Sequence, residues 1–114
     1  MKIVVNYNDN QETIIELNNF NYKIVTKNSK FILEIMNINE DYDFNDKLLL
    51  YNLYDILNNN LINDFSIYGK TDKLIFNLKS INYQVEEAIV KESVEEQTLF
   101  EFFIAITLSK KVVK

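Results

Sequence analysis

The segment Thr98 to Leu108, Thr-Leu-Phe-Glu-Phe-Phe-Ile-Ala-Ile-Thr-Leu, constrains this chain more than any other. Phe100, Phe102, Ile104, Ile106 and Leu108 share one parity, with Glu101, Phe103, Ala105 and Thr107 on the other. A period of two, with aromatic and branched residues on one side, describes a strand with one face in a core and the other half covered. It is the longest apolar run in the chain, and we read it as the central strand of a sheet.

The rest of the chain supplies its neighbours. Lys2 to Leu17 reads as a hairpin: Ile3, Val5 and Tyr7 alternate, Asn8-Asp9-Asn10 supplies residues that tolerate positive φ, and Thr13 to Leu17 returns. Asn18-Asn19 has the composition of a second tight turn, leading into Phe20, Tyr22 and Ile24. Asn28-Ser29 turns the chain again into Phe31, Leu33 and Ile35. The first third is thus expected to be a four-stranded antiparallel meander.

After a polar connection, Leu49, Leu50, Leu53, Tyr54, Ile56, Leu57 and Leu61 predict one amphipathic helix with Asn52, Asp55 and Asn59 on its wet side. Asp43 or Asn45 would cap it, Asp46 would favour its dipole, and the Asn58-Asn59-Asn60 run would fray its end. A second antiparallel group follows. Phe65 to Tyr68 opens it, Gly69 to Asp72 turns, and Leu74, Phe76, Leu78, Ile81, Tyr83, Val85 and Ile89 lead on. Val85 to Gln97 is rich in glutamate and lacks Pro and Gly, so propensity admits a helix there, although the apolar spacing fits a strand better. A β-rich segment on each side of one helix invites the idea of a duplication, but no residue-level match supports it. The expected fold is α+β, one domain over residues 1–114: a meander, a central helix and a second antiparallel group ending in the long apolar strand.

A chain of 114 residues buries roughly two thirds of its unfolded surface, and with nearly half its residues apolar a core is available. We expect neither a secretory leader nor a membrane-spanning segment, and a cytoplasmic location. The absences narrow function. The chain has no His, Cys, Trp, Pro or Arg, and its single glycine is Gly69. Zinc sites of the usual kind, thiol nucleophiles, imidazole bases, guanidinium clamps and glycine-rich phosphate loops are thereby excluded. We therefore expect no enzyme, cofactor or metal. The excess of Asn, Lys, Ile, Tyr and Phe follows codons poor in G and C, an AT-rich origin that a coding sequence of ordinary base composition would refute.

Net charge is −5, which disfavours direct binding to nucleic acid or to an anionic membrane and suits a protein partner with a basic surface. Two acidic patches stand out: Glu40, Asp41, Asp43 and Asp46, and Glu86, Glu92, Glu95 and Glu96. Residues 41–46 open like a calcium loop, but Asp46 stands where the turn needs Gly and Asn52 where the bidentate Glu belongs. The glutamate pairs could serve glycosidase chemistry only with a second signal, and none is present. Carboxylates on an exposed surface can instead imitate a phosphate backbone and occupy a basic channel. Tyr42 and Phe44 are candidate interface aromatics; Tyr54 and Tyr83 read as packing at the core edge. In size and acidity the chain is similar to small phage inhibitors, anti-CRISPR and anti-restriction proteins among them, without sharing a motif with them. The expectation is a non-enzymatic inhibitor or adaptor on a basic, nucleic-acid-handling protein. The alternative is a structural subunit of a phage particle or other homo-oligomeric assembly, and a homodimer is compatible with both.

Overall fold

The computed structural model describes residues 1–37, 44–59, 61–94 and 100–111. In chain order these form β1 (Lys2–Tyr7), β2 (Glu12–Glu16), β3 (Phe20–Lys27), β4 (Lys30–Asn37), α1 (Phe44–Asn59), β5 (Ile62–Tyr68), β6 (Leu74–Asn77), β7 (Tyr83–Val94) and β8 (Phe100–Lys110). Two antiparallel four-stranded sheets result, ordered β2-β1-β5-β6 and β3-β4-β8-β7. The α+β class, the amphipathic helix and the long C-terminal strand are as expected.

β8 is a central strand, paired with β4 on one side and β7 on the other. Phe102, Ile104, Ile106 and Leu108 are buried while Phe103, Ala105 and Thr107 are half covered. The buried row shares one core with Leu33 and Ile35 of its own sheet and with Ile3, Val5, Phe65 and Ile67 of the other.

The expected meander is broken between β2 and β3. Each belongs to a hairpin, but the two hairpins lie in different sheets. A type I′ turn needs positive φ at both central residues. Asn28 (φ 51°) and Ser29 (φ 64°) meet that condition between β3 and β4, whereas only Asn19 (φ 63°) does in the Asn18-Asn19 pair. The second pair therefore acts as a link between sheets, flanked by buried Leu17 and Phe20.

Val85 to Val94 lies within a strand, and residues 95–97 fall outside the described residues. A bulge between Val85 and Glu87 shifts the pairing by one residue. The slip exchanges faces, so Ala88 is buried and Ile89 is exposed, against the expected run through Ile89.

α1 buries Leu50, Leu53, Ile56 and Leu57, and Leu49 and Tyr54 pack on the same core. Leu61 lies beyond the helix and is exposed. Asn58 does not fray the helix end. Its side-chain amide donates to the Ala88 carbonyl (2.9 Å) and its Oδ1 accepts from the Ala88 N–H (3.0 Å). One side chain thus satisfies both backbone groups on the open edge of β7, where another chain could otherwise pair.

The halves β1–β4 and β5–β8 are related by an approximate two-fold. β1 pairs with β5 at the middle of one sheet with β2 and β6 outside; β4 pairs with β8 in the other with β3 and β7 outside. Residues 12–25 align without a gap on residues 73–86, matching Ile14-Ile15 to Ile75-Phe76, Leu17 to Leu78, Asn21-Tyr22 to Asn82-Tyr83 and Ile24 to Val85. The Leu17 N–H bonds the Met1 carbonyl, and the Leu78 N–H bonds the Phe65 carbonyl, both at 2.9 Å. Each is a last rung before the chain crosses to the second sheet, so the duplication does have a residue-level trace.

Urea unfolding tests this packing. Ile104→Ala should cost about 2–5 kcal/mol, against under about 0.5 kcal/mol for Asn59→Ala on the wet face. Asn58→Ala should cost about 1–3 kcal/mol because it leaves two backbone groups unpaired.

Candidate protein-binding site

Lys47 and Tyr51, one helical turn apart, present to the same strand. The Lys47 Nζ lies 2.9 Å from Glu92 Oε1, and the Tyr51 hydroxyl donates to that same oxygen at 2.9 Å. The hydrogen bond from Lys47 holds the Glu92 carboxyl below its usual range; burial opposes this, while the Tyr51 hydrogen bond and the lysine charge reinforce it. Donation to Glu92 raises the Tyr51 phenol, with burial and the glutamate charge adding to the effect. The Tyr51 ring also sits 6.1 Å from Phe102 and 6.4 Å edge-on from Tyr54. These contacts fix the first half of α1 against β7.

They also decide what meets what. Phe44, Leu48 and Tyr51 fall on one stripe at i, i+4 and i+7, and Phe44 (64 %) and Leu48 (52 %) are largely exposed. Glu40, Asp41, Tyr42 and Asp43 lead directly into that helix, and Glu95 and Glu96 follow β7; all six lie outside the described residues. The described members, Asp46 in the first turn of α1 and Glu92 at the Lys47 contact, place the flanks of both acidic patches at one end of the molecule. Glu86 does not belong there. It pairs with Lys30 at 2.8 Å, roughly 20 Å back along β7 at ~3.3 Å per residue.

A second surface escaped the pattern reading. Ile24, Phe31, Phe76 and Ile81 line an entirely apolar groove of about 210 Å³ between the β3 and β6 edges. The trace it left in the sequence is an absence: stretches 17–33 and 73–85, which supply its four residues, contain five lysines and no acidic residue.

A polar hollow of about 530 Å³ beside the β1–β2 turn has Asp9 as its one carboxylate among the described residues, and that group accepts from the Gln11 N–H. Asp64 is engaged by the N–H groups of Phe65 and Lys79 and by the Asn77 amide, which also bonds Ser66. That network holds the β6–β7 crossover. Among the described residues no three His, Cys, Asp or Glu side chains gather to hold a metal. Residues 44–52 of the calcium-like segment are already helix. No helix among the described residues is long and apolar enough to cross a membrane. Tyr54 and Tyr83 pack against the core edge as expected. Comparison with protein-family models, curated proteins and solved structures finds no match to this chain.

The Glu92 contact predicts a pH dependence. A carboxyl whose pKa is lower folded than unfolded stabilises fully above the ordinary carboxylate range, and this is lost as pH falls through the folded value. Wild type should therefore be more stable than Glu92→Gln at pH 7, and the gap in melting temperature should close below pH about 4. A gap equal at both pH values would contradict the assignment.

Proposed function

We propose that this is a non-enzymatic binding protein of the cytoplasm that meets a basic partner protein through its acidic end. The observation that carries the reading is the Lys47–Glu92–Tyr51 contact. It sets the helix start, the tip of β7 and an exposed Phe44–Leu48 stripe side by side. An exposed aromatic anchor on a segment rich in one sign of charge has the composition of a protein interface: the anchor supplies the energy and the charge speeds and orients encounter. A nucleic-acid-handling protein offers the complementary basic channel, so an inhibitor or adaptor role follows. The second reading, a subunit of a homo-oligomeric assembly, draws support from the apolar groove on the same chain.

The test is affinity capture from a candidate host lysate, with the partner then identified by mass and titrated. Asp41→Asn, Asp43→Asn, Glu95→Gln and Glu96→Gln together should weaken binding about tenfold or more at low salt and change little at high salt. Phe44→Ala should weaken it by a similar factor at both. Unchanged binding in both variants would refute the acidic end as the site.

A further inference from the structure

The approximate two-fold exposes an imbalance. α1 packs on β7, β2 and β8; the elements related to these by the two-fold are β3, β6 and β4, the three that supply Ile24, Phe76 and Phe31 to the apolar groove. The aligned residues make the comparison specific. Ile15 and its counterpart Phe76 are both buried, but Ile81, the counterpart of buried Phe20, is 40 % exposed, and Ile24, the counterpart of half-covered Val85, is 46 % exposed. One seat holds a helix. Among the described residues, its mate holds nothing.

The groove is too small for most small-molecule ligands, whose pockets run upward from roughly 300 Å³, and its size suits one aromatic side chain. The stretches that build it, 17–33 and 73–85, carry five lysines and no acid; Lys23 and Lys30 are paired with Glu34 and Glu86, so Lys27, Lys73 and Lys79 carry the positive balance. An occupant should therefore be helical, aromatic and acidic. The chain itself carries such a segment: Phe44 stands out from the first turn of α1 with Leu48 behind it, and residues 40–55 include five acids and one lysine.

We propose that the groove of Ile24, Phe31, Phe76 and Ile81 receives Phe44 of a second copy, so that the protein associates head to tail. This rests on the acidic end being a docking surface and names a partner for it. Donor and acceptor faces differ, so the contact is heterologous and propagates into rings or filaments. A basic partner and a second copy compete for the same stripe. Both contacts weaken as salt rises.

Sedimentation of wild type, Phe44→Ala and Ile24→Asp, alone and mixed, tests this. Both substituted residues are exposed, and melting curves with Ile81→Asp as a second groove variant control for folding. Wild type should grow in mass with concentration up to ~1 mM, and less at high salt. Each variant alone should stay monomeric. An equimolar mixture of Phe44→Ala with Ile24→Asp should give a dimer and stop there, because one supplies the groove and the other the phenylalanine. A monomeric wild type, association that neither variant weakens, or a mixture that stays monomeric would each overturn the proposal. A monomeric wild type that still binds a basic partner through Phe44 would leave the acidic end in place and remove only the second copy.

Discussion

The inner row of β8 against the opposite sheet is the contact on which the architecture turns. Phe102, Ile104, Ile106 and Leu108 are buried in one core with Ile3, Val5, Phe65 and Ile67 of that sheet. The two central pairs, β1 with β5 and β4 with β8, each take one strand from either half of the chain. Neither half can complete a sheet alone. The pairings join residues as far apart as Phe31 and Leu108, so the closure entropy must be met before most of the apolar surface is covered. Folding is expected to be concerted across the chain for that reason.

A duplicated β framework with one helix cannot close evenly. Two sheets present outer strands β2, β6, β3 and β7, and α1 serves chiefly one of them. Asn58 finishes that task by pairing with Ala88 as a neighbouring strand would. The far corner has no such helix among the described residues, and Ile24 and Ile81 there remain exposed. The groove is thus a consequence of topology.

Local signals carried most of the element assignments. Strict alternation from Phe100 to Leu108 foretold the central strand, and the leucine spacing from Leu49 to Leu57 foretold the helix. What failed were decisions made at longer range. Nothing in Asn18-Asn19 reveals that its φ values differ from those of Asn28-Ser29, so link and hairpin turn look alike in sequence. A bulge inverted the faces after Val85 without changing composition. Asparagine abundance hid its own use: Asn10, Asn19, Asn28 and Asn82 hold the left-handed conformations that glycine takes in other chains. The acidic residues were visible, but which of them were already committed to lysines was not, because Lys30–Glu86 and Lys47–Glu92 are made only by the fold. The groove was not seen at all, since its four side chains come from β3, β4, β6 and the turn before β7.

Net charge conceals the property that bears most on binding. A value of −5 averages an acidic helix entry with acid-free stretches, among them the two that supply the groove, 17–33 and 73–85. Judged by the average, the molecule should repel its own copies and attract only basic partners. Judged by its distribution along the chain, acid gathers at the helix entry and in residues 86–96, while 17–33 and 73–85 hold lysines and no acid. Screening shortens both effects to within about 8 Å at physiological salt, where local complementarity outweighs the sum. In the proposed association that segregation would give an encounter its direction, bringing the Phe44 end of one copy toward the groove of the next.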